Sequence, residues 1–230
     1  MFLPEDEIHV FIYNLEQFST KTEYFQSILS LREVGNSYRY YSETDRQRYI
    51  LRYGIYRLVL SKYFNISPSE LILQTTENGK PFIEKSPISF SFSSNGEYCA
   101  IAIGKNQQIG IDIELLKDDS EYRQMAKMFF SVAEFDFLEN ISDEKLPEAF
   151  LKIWTAKEAF IKANKVADPA QFSITFSQFP DQIETLFFEG KSWFFYGNNK
   201  TKDLVVTLAS GRQNMKIKNI DFDLLSFSKK

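Results

Sequence analysis

The chain opens on an acidic stretch and then an apolar run, Ile8 to Tyr13, whose pattern predicts a strand. A helical stretch and a polar turn at Ser42-Glu43-Thr44-Asp45 follow. From Asp45 to Phe64, Tyr49, Ile50, Tyr53, Tyr56, Leu58 and Leu60 recur at helical spacing, which predicts one long helix, stopped by Asn65 and Pro68. Next come a strand at Leu71–Thr76, a turn at Asn78-Gly79-Lys80-Pro81, and a strand pair, Ile88–Phe92 and Tyr98–Ile103. Asn95-Gly96 between the last two is a strong short-range hairpin signal.

The second part of the chain repeats that order. Ile109–Glu114 predicts a strand, about Ser120 to Phe130 a helix, and Leu146–Asn164 a long helix. Strands are expected near Phe172–Phe176, Thr185–Phe188, Trp193–Tyr196 and Leu204–Ala209. Strand, helices, then antiparallel strands thus occurs twice, although no residue-level repeat is visible. The expectation is an α+β fold of two similar halves, residues 1–108 and 109–230, each an antiparallel sheet on a long helix. A cleft between the halves is a favoured ligand location.

Composition narrows the chemistry. With 230 residues the chain suits one large domain or two small ones, and 23 Phe with 12 Tyr predict cores rich in aromatic rings. Lys+Arg 27 against Asp+Glu 31 gives a net charge of −4, without the basic footprint that nucleic-acid binders rely on. One cysteine, Cys99, excludes an internal disulfide and a thiolate metal cluster, and its alternating apolar run marks a buried structural thiol. The single histidine, His9, lies in the apolar N-terminal strand and reads as structural, so histidine-dependent nucleophilic machinery is not expected. No apolar run reaches the ~18–20 residues that span a bilayer, and the acidic start lacks a secretion signal's basic region. A cytoplasmic protein with neither nucleic-acid nor membrane partners is expected.

Three segments carry candidate chemistry. In Ile109-Gly110-Ile111-Asp112-Ile113-Glu114, strand alternation turns the isoleucines to one face and Asp112 with Glu114 to the other. Such a pair could close on a hard cation, or could be the polar face of a half-buried strand. In Trp154-Thr155-Ala156-Lys157-Glu158-Ala159-Phe160-Ile161-Lys162, Trp154, Glu158 and Lys162 share a helix face with Lys157 beside them. Glu158 and Lys162 could form an exposed ion pair, or lean into a cleft to hold metal and phosphate. Asn78-Gly79-Lys80-Pro81 and Phe90-Ser91-Phe92-Ser93-Ser94-Asn95-Gly96 could be two plain turns, or an anion cradle of N–H and hydroxyl donors.

Taken together, these segments resemble the phosphopantetheinyl transferases. Gly110 to Glu114 followed by Trp154 to Lys162 resembles that family's paired signature. Gly79-Lys80-Pro81 and the Phe90–Gly96 hairpin resemble the nucleotide-binding motifs of the larger, Sfp-type members. Met128-Phe129-Phe130-Ser131-Val132-Ala133-Glu134 resembles their phenylalanine-rich segment, and the motif order matches across nearly the whole chain.

The resemblance implies a pseudo-twofold monomer that moves the 4′-phosphopantetheine arm of coenzyme A onto a serine of an acyl or peptidyl carrier protein. By the same resemblance, Asp112, Glu114 and Glu158 would hold Mg²⁺, Glu158 would serve as base for the carrier serine, and Lys162 would contact the pyrophosphate. Lys80, Ser93, Ser94 and Asn95 would hold the nucleotide, with Arg39 and Arg48 toward its 3′-phosphate. Ser94 departs from the family, whose hairpins usually carry a histidine there. Cations before the long helix are also thinned by Val34-Gly35-Asn36-Ser37. Lys117 to Phe130 could offer a carrier-facing surface, with Arg123 and Lys127 beside Met125, Met128 and Phe129, or Met125 and Phe129, also at i, i+4, could be core and the cations solvated. Two other readings remain at this point: a carrier-binding module without chemistry, and a metal-dependent nuclease using the same three carboxylates.

Overall fold

The protein is described by a computed structural model covering residues 1–76, 79–117, 121–164, 168–174, 176–178, 182–183, 185–197 and 203–224. Asn78 of the expected turn, Ser120 of the expected helix and Thr175 of an expected strand lie outside the described residues.

Strand β1 (Glu7–Asn14) leads through a 3₁₀ turn into α1 (Thr22–Ser27), α2 (Leu31–Ser37) and the long α3 (Glu43–Phe64). Ser42 caps α3 through the Asp45 N–H, and Asn65 ends it in the left-handed conformation at φ 52°. The expected strand at Leu71–Thr76 contracts to β2 (Gln74–Thr75), paired with β3 (Pro81–Phe82). The hairpin forms as expected, β4 (Ile88–Asn95) against β5 (Tyr98–Lys105). Gly96 at φ 57° supplies the turn, while Asn95 pairs with Tyr98 and closes the ladder.

The second half begins with β6 (Ile109–Leu115), then α4 (Tyr122–Phe129), α5 (Val132–Glu139) and the long α6 (Leu146–Asn164). The short strands β7 (Phe176–Gln178), β8 (Gln182–Ile183) and β9 (Leu186–Phe188) precede β10 (Lys191–Gly197), β11 (Leu204–Ser210) and β12 (Lys216–Asn219). The pattern had suggested no α5 and no β12, and it placed a strand at Phe172, which is not in one.

Two four-stranded sheets result, in the orders β12-β1-β5-β4 and β6-β11-β10-β9. The three-strand core of each has the same arrangement: the opening strand lies antiparallel to the last hairpin strand, which pairs with its hairpin partner. The first sheet is not wholly antiparallel, because β12 returns from the second half to lie parallel to β1. A four-residue edge strand with Lys at two positions leaves almost no periodic signal.

Both faces of the first sheet are buried. Phe11, Tyr13, Cys99, Ile101 and Ile103 pack under α3, while Ile8, Val10, Ala100 and Ala102 face Ile109, Ile111, Ile113, Val206 and Leu208 of the second sheet. This explains the unbroken apolar run at Tyr98–Ile103. The other side of the second sheet is covered by α6, whose Ala156, Ala159, Phe160 and Ala163 meet Trp193, Phe195 and Ala209. The layers therefore run α3, first sheet, second sheet, α6, a mixed α+β architecture. No described helix is long and apolar enough to cross a membrane.

Candidate active site

Two features hold α6 against β6. A Cβ on Gly110 would lie 1.9 Å from the Ala159 carbonyl oxygen, so only glycine permits this approach of helix to strand. The Lys157 ammonium, wholly buried, pairs with Glu134 at 2.8 Å and donates to the carbonyls of Pro169 (2.7 Å) and Phe172 (2.6 Å). Glu134 is itself fixed by a capping box with Ser131 and accepts from the Ile174 N–H. Lys157 is thus a buried tie, pointing away from the face it had been grouped with. Trp154 packs with Phe129, Phe130 and Phe150. With the helix fixed in rotation, Glu158 and Lys162 are aimed at β6.

On β6 the isoleucines face the core as expected, and Asp112 with Glu114 occupy the opposite face. The edge strand β4 runs beside β6 and turns Ser91, Ser93 and Asn95, alternate residues, toward it. Ser91 Oγ accepts from the Ile111 N–H at 3.1 Å, Ser93 Oγ donates to Asp112 Oδ1 at 2.7 Å, and Asn95 Nδ2 donates to Glu114 Oε2. Lys162 Nζ donates to Asp112 Oδ1 at 2.5 Å and to Ser93 Oγ at 3.0 Å. The structure brings Ser93, Asn95, Asp112, Glu114 and Lys162 into one network across the two halves, with Glu158 in electrostatic reach of Asp112 and Glu114.

The electrostatics are those of crowded carboxylates. Burial, opposed by Lys162, pushes the Asp112 carboxyl up. Burial and the neighbouring Asp112 charge push Glu114 up to about 7 and raise Glu158 as well. Asp112 Oδ2 is buried and has no hydrogen-bond partner. An orphaned carboxylate oxygen among three acids that resist ionising together fits a hard divalent cation, which would supply the missing charge. Among the described residues no three potential ligands stand close enough to hold a metal as they are.

The remaining candidates are distributed differently. The Lys80 ammonium donates to the carbonyls of Ile109 and Lys162, both at 2.8 Å, joining the first half to the start of β6 and the end of α6. A cation there also complements the helix C-terminus. Ser94 borders a cavity in the first half. Arg48 is held by Glu16 (3.2 Å) and Glu97 (3.7 Å), and Arg39 is exposed beyond α2. Arg123 is turned to the end of α5, donating to the carbonyls of Leu138 and Ile141 and pairing with Asp143. Lys127, Met128 and Phe129 are exposed and Met125 is half-buried. His9 and Cys99 are buried in the first sheet. The Glu134–Lys157 tie and Gly110 had no assigned role from the pattern, although Ser131-x-x-Glu134 is a readable capping box.

A sequence profile of the 4′-phosphopantetheinyl transferase superfamily matches residues 108–209, and one of the N-terminal region of 4′-phosphopantetheinyl transferases matches residues 16–106. The 4′-phosphopantetheinyl transferase HetI of Nostoc sp. is 30% identical over 165 residues, 70% of either chain. The 4′-phosphopantetheinyl transferase Sfp of Bacillus subtilis is 35% identical over 144 residues, 62% of either chain. AcpT of Escherichia coli, a 4′-phosphopantetheinyl transferase, is 32% identical over 87 residues, 37% of this chain and 45% of its own.

Proposed function

This chain belongs to the 4′-phosphopantetheinyl transferase superfamily, and on that premise we propose that it transfers 4′-phosphopantetheine from coenzyme A to a serine of an apo acyl or peptidyl carrier protein, using Mg²⁺. The observation that carries this reading is Asp112: one oxygen engaged by Lys162 and Ser93, the other buried and unpartnered. Asp112, Glu114 and Glu158 would hold the ion, which when bound supplies Lewis-acid neutralisation of pyrophosphate charge.

The chain's own residues do the rest. Glu158, at the edge of that carboxylate group, takes the proton of the carrier serine. The serine oxygen bonds to the β-phosphorus, the bond from phosphorus to the bridging oxygen breaks, and 3′,5′-ADP leaves with the electron pair. Lys162 is placed to neutralise negative charge as it grows on the pyrophosphate. Lys80 and the Ser93-Ser94-Asn95 hairpin border the nucleotide. Because β4, β6 and α6 of one chain build the network, the reading has a monomer acting, in the cytoplasm. The matching three-strand cores, β1-β5-β4 and β6-β11-β10, support a pseudo-twofold relation between the halves.

The test is incubation with coenzyme A, Mg²⁺ and an apo carrier protein. The expected result is a carrier gaining the mass of phosphopantetheine, lost when Mg²⁺ is chelated. Carrier binding without mass gain would overturn the reading in favour of a docking module.

A further inference from the structure

The Lys80 ammonium sits where β6 and α6 come closest. An added Cβ on Gly110 would meet the Ala159 carbonyl oxygen and lie 2.7 Å from the Ala163 nitrogen, so strand and helix backbones touch there. Lys80 Nζ donates at 2.8 Å to the carbonyl of Ile109, the residue before Gly110. It donates at 2.8 Å also to the carbonyl of Lys162, the residue before Ala163. One ammonium from the first half thus clamps two backbones of the second half at their contact.

Both acceptors are groups that regular structure leaves open. Because α6 ends at Asn164, the Lys162 carbonyl belongs to the last turn, whose carbonyls receive no N–H from within the helix. A cation there is favoured by the helix dipole as well. β6 pairs with β11 on one side, and on its other side the Ile111 N–H donates to Ser91 Oγ. Ile109, two residues back, turns its carbonyl to that same edge. Lys80 is itself delivered by a fixed turn. Its N–H donates to Thr76 Oγ1 at 3.1 Å, its carbonyl accepts from the Thr76 N–H at 2.9 Å, and Gly79 takes φ 77°. Clefts of about 200 Å³ and 420 Å³ flank the Lys80 stem, so close packing does not back this contact.

What the clamp holds bears directly on the reacting centre. From the clamped Lys162 the side chain runs to Asp112 Oδ1 and Ser93 Oγ, and Asp112 follows the clamped Ile109 along β6. We infer that Lys80 is a positioning residue of the transfer reaction, acting through the backbone of Ile109 and Lys162 to set Lys162 on Asp112, and not a ligand of the nucleotide. Two of the three donors of its ammonium are given to these carbonyls. This rests on the transferase reading above.

The test joins two measurements: single-turnover transfer followed over hours as mass gain of an apo carrier, and the coenzyme A dissociation constant from calorimetry. Lys80→Met keeps the stem and removes the donors. It lowers the rate at saturating coenzyme A by about tenfold to a hundredfold, as a misplaced catalytic group does. The dissociation constant stays within about threefold, since the lost interaction belongs to the transition state. Lys80→Arg, which keeps donors for both carbonyls, recovers part of the rate. In a Lys162→Ala background Lys80→Met costs less than about twofold, because the side chain it positions is gone. A merely structural contact would cost the same fold in both backgrounds, and that result overturns the proposal. So does an unchanged rate in Lys80→Met, or a weakened coenzyme A affinity at an unchanged saturating rate, which would make Lys80 a nucleotide contact. Should Lys80→Met not fold, Lys80→Gln is read in the same two backgrounds. A parent that modifies no carrier instead fails the transferase reading and takes this proposal with it.

Discussion

The two halves share a buried tie that they use for different ends. In the first, Arg57 of α3 pairs with Glu33 at 2.6 Å and donates to the carbonyls of Pro68 (2.6 Å) and Leu71 (3.1 Å). In the second, Lys157 of α6 pairs with Glu134 and donates to the carbonyls of Pro169 and Phe172. Each glutamate completes a capping box on the short helix before the long one, with Ser30 or Ser131. Each carbonyl pair comes from the segment just after the long helix, with Pro68 or Pro169 opening a 3₁₀ turn. The cation thus fixes the rotation of the long helix in both halves. The next residue shows the divergence: Leu58 is core, whereas Glu158 faces the carboxylates of β6. A common frame carries packing in one half and chemistry in the other.

The sharpest test of that contrast replaces the residue after each cation. Glu158→Ala is expected to abolish carrier modification while stability to denaturant stays close to the parent's. Leu58→Ala at the corresponding place should cost about 2–5 kcal/mol of stability, with transfer by the folded fraction retained. Both would be read by denaturant unfolding and by mass spectrometry of the carrier. Substantial transfer by Glu158→Ala would remove the distinction between the halves.

Breaking the ties should make the halves alike again. Arg57→Met and Lys157→Met each strand a buried glutamate, at a cost of about 3–5 kcal/mol. Pairing Lys157→Met with Glu134→Gln removes the stranded charge and is expected to recover part of that loss. If the single variants unfold no more easily than the parent, the ties do not set the frame. Gly110→Ala should act more locally: its methyl meets helix backbone, so overpacking of about 1–3 kcal/mol is expected together with loss of transfer. Its control is Gly35→Ala, where nothing lies within 4 Å of an added Cβ.

Much of this was legible along the chain, and the remainder was hidden for identifiable reasons. The isoleucine alternation at Ile109–Ile113 announced both a core face and the Asp112/Glu114 face, because strand periodicity is local. The hairpin at Asn95-Gly96 and the two long helices were equally local. Lys157 was grouped with Glu158 and Lys162 because helical spacing cannot say which neighbour turns inward; its partner lies on another helix. The capping boxes Ser30-x-x-Glu33 and Ser131-x-x-Glu134 were readable signals of α2 and α5 that the apolar periodicity did not bring out. Lys80 meets backbone carbonyls, and Arg48 meets Glu16 and Glu97, contacts that no spacing along the sequence encodes.

The smallest expected effect sets the halves against each other through pH. Burial holds the His9 imidazole below its usual value despite the pull of Glu7, and its ring contacts the Tyr63 hydroxyl at 2.6 Å. Below about pH 6.5 the unfolded chain therefore takes a proton that native His9 refuses, so this residue makes stability fall on acidification. Glu114 has the opposite sign. With its native carboxyl near 7, the folded protein binds a proton that the unfolded chain, near 4.5, does not, so its contribution rises as the pH drops from about 7. Glu114's effect should be on the order of 1 kcal/mol after discounting for its partial exposure. In chelator, urea unfolding between pH 7.5 and 5.5 should show His9→Gln gaining stability toward low pH relative to the parent, and Glu114→Gln losing it relative to the parent. Saturating Mg²⁺ keeps Glu114 ionised if it binds there, so the parent in Mg²⁺ should follow the Glu114→Gln slope. A parent whose slope is the same with and without Mg²⁺ would show that the ion does not reach Glu114, whatever it does for transfer.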